Sequence, residues 1–520
     1  MAPNRAGARE WIALAVLGVP AVLVTMNMSV LYLALPSLSA DLGPDGPQLL
    51  WITDIYGFMV AGSLVTMGTL GDRFGHRRIL LAGAVAFTAA SVIAAYAPDV
   101  GLLIAARAVQ GVAAAALAPS SLALIRVLFL DGAQRTLAIT VWMTAFMGGG
   151  ALGPLVGGVL LQFFWWGAVF LLAVPTMVLL LVTGPSLIPS PAPSSAPSSA
   201  PSSAAESRAP AAGRLDAVSV ILSLLTPLTI VFGIKELTVD GPAVSSVGVL
   251  VVGLVLGTVF VRRQRRLPHP LLDLGLFRIP SFAVTVTGMV LVGVVLFGTS
   301  LLTSQYLQLV LGFSPLQAAL WQLPTAVAGT VVVLVVSSLT GRIRPVVLMS
   351  AGAAFAVIGP VLLTQADRNP VILVSGSFIL FAGLTPFMAL GTNLVVGAAP
   401  PERTGAASAI SETGAELGGA LGIAVFGSIA TGVYGSYMIG HTPPGIPSQI
   451  AEAARETLPA ALQAARRLPE GLGVPLAQTA RDAFAHSLHT HALITVPLLI
   501  ALVVLPLTLR RAARVGASGT

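Results

Sequence analysis

The chain has 520 residues, of which 56% are hydrophobic and only 9% charged, with no cysteine and a formal net charge of +7. Its mean hydropathy is +0.92. Soluble domains carry about 25% charged residues, so this composition excludes a water-soluble globular protein and implies an integral membrane protein, while the missing cysteines exclude disulfides and thiolate metal sites.

A run of about 20 apolar residues can cross a hydrocarbon core roughly 30 Å thick. Fourteen such runs are predicted, at 12–35, 49–70, 79–97, 101–125, 137–161, 165–184, 215–236, 244–261, 281–303, 316–339, 346–365, 371–396, 405–433 and 490–509. No ten-residue alternation repeats, so these are helices and not barrel strands. The first run follows Arg5 and Arg9 without a signal-peptide cleavage site and is expected to remain as a spanning helix. Arg73, Arg77 and Arg78, Arg126 and Arg135, Arg208 and Arg214, Arg262 to Arg266, Arg278, Arg342 and Arg344, Arg403, and Arg510, Arg511 and Arg514 all fall on one side of the predicted helices. The excess of arginine makes that side cytoplasmic and puts both termini there. The opposite loops carry acids such as Asp41, Asp45, Asp99 and Asp240.

These elements divide the chain into an N-terminal six-helix half (1–184), a Pro/Ser/Ala-rich cytoplasmic linker (185–214) and two inserted helices (215–262). A basic cytoplasmic connector (263–280) and a C-terminal six-helix half (281–520) with an outer loop at 434–489 complete it. The linker composition cannot bury a core, and the basic connector suits anionic headgroups. Within the outer loop, Ile450, Ala454, Leu458 and Leu462 recur at helical spacing and predict amphipathic helices on the outer face.

Several stretches carry chemistry. On helix 1 stands Asn27, with Tyr32 beyond it; on helix 2 stands Asp54. The loop from Gly68 to Arg78 joins helices 2 and 3 in few residues: Gly71 and Gly75 permit a tight turn, Asp72 can cap a helix or pair with an arginine, and Arg73 and Arg77 add positive charge. Arg107 lies about 10 Å into helix 4 and Asp54 about 7 Å into helix 2 from the same surface, so the two are candidates for an ion pair. Intramembrane charges are costly and mark either a structural pair or a functional one. Gly149, Gly153 and Gly157 give helix 5 one bare face, and Pro154 bends the helix beside it; a rocking interface or a static packing face would both use that face.

Helix 13 carries Glu412 and Glu416 one turn apart, in a stretch with no other charge. They lie about 10 and 16 Å from the arginine-rich surface, and loss of water favours the neutral form of a carboxyl, so such a pair can bind and release protons as access to water alternates. A neutral carboxyl hydrogen-bonded for packing is the structural alternative. His486, His489 and His491 have no acids arranged to enforce coordination, and no metal site is expected. No cofactor is implied, since neither a nucleotide-binding loop nor a nucleophile elbow is found, and nothing suggests a nucleic-acid partner or an enzyme.

Gly68 to Arg78 resembles motif A of the major facilitator superfamily, Arg107 to Gly111 resembles motif B, and Gly148 to Gly158 resembles motif C, the mark of its antiporters. Leu35 and Pro36, Trp51 to Tyr56, and Tyr306 to Gln308 with Gly312 to Gln317 resemble the fourteen-helix drug:proton antiporter family, closest to exporters of methyl viologen and quaternary ammonium compounds. The resemblance implies the major facilitator fold, a cell membrane location, and antiport of lipophilic small molecules against protons, with membrane lipids around it. Glu412, Glu416, Asp54 and Arg107 would then couple protons. Asn27 stands where the family commonly has an aspartate; its amide cannot ionise, which shifts proton coupling towards the other acids. Substrate contacts are expected from Asn27, Tyr32, Tyr56, Trp142, Met143, Phe146, Gln305, Tyr306, Trp321 and Asn393, because aromatic faces attract organic cations and Met adapts to varied shapes. Individually each is also compatible with a core or lipid-facing role. The function expected is multidrug efflux, with export of a neutral self-made antibiotic or metabolite as the alternative, and a membrane-embedded sensor or enzyme further off.

Overall fold

A computed structural model describes residues 6–188, 216–239, 244–267, 270–340, 342–400 and 403–517. Most of the 185–214 linker therefore lies outside the described residues, as do Arg5, Arg208, Arg214 and Asp240. The chain is all helical over the described residues: α1 (Ala8–Leu42), α2 (Gly46–Phe74), α3 (His76–Ala95), α4 (Val100–Leu128), α5 (Gly132–Phe163), α6 (Ala168–Leu171), α7 (Ala173–Leu187), α8 (Ala217–Val239) and α9 (Val244–Gln264). Then follow α10 (Pro280–Gln305), α11 (Pro315–Leu339), α12 (Pro345–Ala356), α13 (Ile358–Leu363), α14 (Pro370–Ala398), α15 (Thr404–His441), α16 (Ser448–Glu456), α17 (Leu458–Arg467) and α18 (Glu470–Ala517). Among the described residues twelve stretches are long and apolar enough to cross a membrane, thirteen if the bent α5 counts as one, and α8 adds the shorter apolar helix Val218–Ile234.

Helix ends on the acid-rich face are set by capping. Asp45 accepts from the N–H of Gln48, Asp99 from that of Leu102, and Ser314 with Pro315 and Gln317 forms a capping box that starts α11. The acids there thus satisfy orphan helix donors, and Asp41 accepts the indole N–H of Trp166 at 2.7 Å. Helix α5 is bent by 46° between Gly150 and Leu152. Pro154 offers no N–H to the carbonyl of Gly150 and its ring crowds that oxygen, which accounts for the break.

Helices before residue 188 pack chiefly among themselves, α1 on α5 and α4 between α2 and α3, and those after 280 do likewise, α10 on α15 and α14 beside α11 and α12. The two groups meet along α2 with α15 and α5 with α11. In the first seam the helices run antiparallel: Gly46 faces Thr431, Leu50 faces Gly427, and a Cβ on Gly57 would lie 3.2 Å from that of Ala420. In the second, Gly158 approaches Pro315, Leu316 and Ala319. These contacts run from the acid-rich face to mid-depth. Towards the arginine-rich face Arg77 donates to the carbonyl of Pro185 within the first group, and Arg403 ties the second group to Asp273 of the connector.

The stretch expected as an outer loop at 434–489 is mostly helix. Helix α15 continues to His441, α16 and α17 pack by Ala451, Ala454, Leu458, Ala461 and Ala465, and α18 begins already at Glu470, well before the span expected at 490–509. Small alanines let this hairpin lie close, and Tyr434 donates to the carbonyl of Ala454 at 2.9 Å while Ser487 donates to that of Ala430. The hairpin reaches across to α1, where Gln463 donates to the carbonyl of Ala40 at 3.3 Å. The inserted pair sits beside the first seam: α8 packs on both α2 and α15, with Ser223 donating to the carbonyl of Gly62.

The glycine face of α5 is buried against α1. A Cβ on Gly149 would collide with the carbonyl of Val22 and the hydroxyl of Thr25, and one on Gly153 with the hydroxyl of Ser29, whereas Gly148 and Gly150 face open space. Overpacking of this kind costs about 1–3 kcal/mol. Gly149→Val and Gly153→Val are therefore predicted to lower the thermal midpoint of the detergent-purified protein, and Gly150→Ala to leave it unchanged; equal midpoints for all three would remove close α1–α5 packing as the reason for the glycine face.

Candidate functional site

Helix α4 brings Arg107 into a fully buried position at the centre of the first helix group. A guanidinium without water needs acceptors on several sides. Its Nη1 donates to the Asn27 side-chain oxygen of α1 at 3.0 Å and to the Gln110 side chain at 3.3 Å, and its Nε donates to the carbonyl of Ile52 on α2 at 3.3 Å. Nη2 has no partner among the described residues. The guanidinium carbon lies 4.6 Å from the ring centre of Tyr56 and 5.8 Å from that of Phe170, within cation–π range. Thus the amide of Asn27 is a partner of Arg107 that depth along the helices did not suggest. Asp54 is itself fully buried and accepts from the Thr53 hydroxyl at 3.2 Å.

The rest of that sequence stretch serves the same arrangement. Gln110 donates to Ser91 of α3 at 2.9 Å, and Gly111 lets α4 approach the carbonyl of Tyr56. Tyr56 in turn donates to the carbonyl of Val24 at 3.1 Å, so α1, α2, α3 and α4 are joined by polar contacts around one cation. Tyr32 lies among them with its hydroxyl buried and unpartnered among the described residues. The charges of Asp54, Arg107 and Glu416 all act on Tyr32, and those of Arg107 and Glu416 on Tyr56. The structure therefore gathers Asn27, Tyr32, Asp54, Tyr56, Arg107 and Glu416 from four helices of both groups.

On α15 the packing faces separate cleanly. Ser411, Gly414, Gly418 and Gly422 lie against α10, with Gly418 and Gly422 close to the carbonyls of Val290 and Val294. Glu412 and Glu416 continue, two turns and one turn earlier, the row that ends in Ala420 at the contact with Gly57. They stand where α15 leaves α2, half-buried, with no hydrogen bond among the described residues. A carboxyl placed so is shielded by protein yet open on one side.

The remaining candidates are distributed more widely. Trp142 is buried and stacked on Phe146 at 5.4 Å, next to the α1–α5 contact where Thr25 donates to the carbonyl of Phe146. Gln305 is buried, while Met143 and Asn393 are exposed. Trp321 stacks on Phe313 at 6.1 Å. Tyr306 opens a π-helical turn (Tyr306–Val310), is fully buried near Phe484, and accepts the backbone N–H of Arg368, so its polar tip is already engaged in packing.

In the Gly71 loop, Asp72 bonds His76 at 3.0 Å and is exposed, rather than reaching a distant arginine. A Cβ on Gly71 would strike the His76 ring, and Gly75 adopts φ +94°, which L side chains rarely take. Arg73 lies over Phe74 at 5.2 Å. Sequence reasoning missed two devices: the seam of Gly46, Gly57 and Gly427, spread too widely along the chain to read as a motif, and the Arg263–Asp216 pair on the inserted helices, whose only signal was one acid ahead of α8.

Known proteins can be set beside this geometry. The "Multidrug efflux pump LfrA" of Mycolicibacterium smegmatis is 39% identical over 500 residues, covering 96% of each chain. The "Methyl viologen resistance protein SmvA" of Salmonella typhimurium is 31% identical over 498 residues, 93% of this chain and 95% of that one. Among solved structures, a bacterial homologue of the human lysosomal transporter Spinster superposes with a TM-score of 0.67 at 14% identity, over 96% of this chain and 98% of that one, which supports the fold. The family description of the Major Facilitator Superfamily matches residues 18–423, and with the coverage of these relatives the chain belongs to that superfamily of membrane transporters.

Proposed function

We propose that this protein exports lipophilic, chiefly cationic drugs in exchange for protons across a bacterial cytoplasmic membrane. In this reading the chain is two six-helix halves (1–184 and 281–520) flanking the inserted helices of 215–262, fourteen spans in all, with both termini and the arginine-rich face in the cytoplasm. Relatives named for multidrug efflux and methyl viologen resistance support the substrate class. The observation that carries the reading is the position of Glu412 and Glu416, on α15 at the point where the two groups part, with Glu416 within electrostatic reach of Tyr32 and Tyr56 on the opposite group.

With the glycine contacts of the seams lying along their acid-rich half, the cycle is read from an inward-open state. A drug enters from the cytoplasm and is held among the aromatic residues near Tyr32, Tyr56, Trp142 and Phe146, while Glu412 and Glu416 release protons inward. Closing there and opening of the Gly46–Thr431 and Leu50–Gly427 contacts exposes the drug outside, where fresh protons bind. One proton exchanged for a monovalent cation moves no net charge, whereas a second adds about 2.3 kcal/mol per 100 mV, roughly a fortyfold gain in attainable gradient. Two carboxyls in one row would permit the larger stoichiometry.

The neutral-substrate alternative draws on a specific contact. Because Arg107 is bonded to the neutral amide of Asn27, α1 offers no carboxylate at this point to attract a cationic substrate, which favours uncharged ones.

An imposed pH gradient, acidic inside, should drive uptake of a fluorescent lipophilic cation into inside-out vesicles; no gradient-dependent uptake of any charged or neutral lipophile would end the antiport reading. Glu416→Gln is expected to abolish that uptake while drug binding to the purified protein persists, and undiminished transport would remove Glu416 from coupling. Asn27→Asp should pair directly with Arg107 and raise the ratio of cationic to neutral transport roughly tenfold, the equivalent of about 1.4 kcal/mol. A ratio equal to wild type in competition assays would show that α1 does not set charge preference.

A further inference from the structure

The inserted helices present a cleft that the transport reading does not use. Helix α9 packs on α8 through close glycine contacts, Gly233 with Leu250 and Gly253 with Ile230, and turns Val251, Val252, Leu254, Val255 and Val259 outward. Between the two helices lies an open cleft of about 450 Å³ walled by Ile230, Leu254, Gly257, Thr258 and Val261, with Arg262 and Arg265 at one end. Leu254, Thr258, Val261 and Arg265 follow one another at three- and four-residue steps, so apolar wall and basic mouth share one helix face. Thr258 donates its hydroxyl to the carbonyl of Leu254, which leaves the wall without a free donor.

The mouth is built by its neighbours. Arg263 makes a two-pronged contact with Asp216, at 2.6 and 2.8 Å, and holds that carboxyl well below the usual carboxylate range. Gln264 is buried, donating to Ser219 and accepting from the N–H of Leu271 and Leu272. With Arg263 and Gln264 fixed towards α8 and the following chain, Arg262 and Arg265 are directed away from them, exposed and unpartnered among the described residues. Their forked donors match phosphate oxygens, and an acyl chain matches the wall beneath. Charge and shape together ask for an amphiphile with an anionic phosphate head.

We infer that the α8–α9 cleft is a binding site for one anionic glycerophospholipid, its phosphate on Arg262 and Arg265 and an acyl chain along Ile230, Leu254 and Val261. The site rests on the reading that α8 and α9 span the membrane with their arginines at the headgroup level. Because α8 also lies on both α2 and α15, a lipid seated there would brace the helix pair that flanks the moving seam.

Native mass spectrometry of the full chain, with phosphatidylglycerol and phosphatidylcholine supplied in equal amounts, tests this. Wild type is expected to retain one phosphatidylglycerol in preference to phosphatidylcholine. Arg262→Gln with Arg265→Gln should lower that retention roughly tenfold or more, the scale of one charge-assisted hydrogen bond, whereas Arg126→Gln with Arg135→Gln, which removes equal charge elsewhere on the same face, should not. Equal loss in both double variants, or no preference between the lipids, overturns the site. Leu254→Trp, which fills the wall, should weaken lipid retention; competition by soluble glycerol phosphate as effective as by the lipid would show a headgroup site only and overturn the acyl contact. Gradient-driven drug uptake by the same preparations separates the two readings: selective lipid retention without uptake counts against efflux and for the cleft, and uptake without retention does the reverse.

Discussion

A guanidinium removed from water must find acceptors in the protein, and the first helix group is arranged around one that does. Arg107 draws a side-chain oxygen from α1, a backbone carbonyl from α2 and an amide from its own helix, and stacks against Tyr56. Breaking such a buried set leaves an uncompensated charge, at a cost of about 3–5 kcal/mol, so the contacts fix how these helices stand to one another. Gln110 extends the same set to Ser91 on α3. Apolar packing alone would hold these helices together; the polar set selects one register.

The second constraint is the absence of a hydrophobic drive between helices in lipid, which leaves close packing to hold them. The α1–α5 contact and the α2–α15 seam both solve this with glycine, the first at Gly149 and Gly153, the second at Gly46, Gly57 and Gly427. They differ in what surrounds them. Gly149 and Gly153 are bedded on the backbone and hydroxyls of α1, with Thr25 bonded to Phe146 across the contact, whereas Gly46, Gly57 and Gly427 in the seam meet methyl groups of Thr431, Ala420 and Leu50. A contact of methyls can part and re-form without leaving polar groups unsatisfied. That suits the seam to be the part that moves, with the paired glutamates at its end.

Outside the two groups, the polar contacts tie accessory elements to the frame. The α16–α17 hairpin bonds α15 through Tyr434 and α1 through Gln463, and so bridges the two groups over the acid-rich face. The inserted pair is fastened at its arginine-rich end by Arg263 and Asp216 and touches the frame through α8. Helix α9 has little protein around it, and its exposed valines and leucines have lipid as their natural neighbour.

The sequence by itself determined the solvent, the helical class and most spans, because a chain in hydrocarbon must satisfy its backbone internally and helices of known length do so. It also marked Arg107, Asp54, Glu412 and Glu416, since charge in an apolar run stands out wherever it occurs. What it could not decide was partnership. Depth along a helix suggested Asp54 for Arg107 but gave no hint of Asn27, which the rotation of α1 and α4 about their axes brought to the guanidinium, and rotation is set by packing that no single helix encodes. For the same reason the early start of α18 at Glu470, the engagement of Tyr306 by Arg368, and the row from Glu412 through Glu416 to the Gly57–Ala420 contact emerged only when the helices were placed side by side.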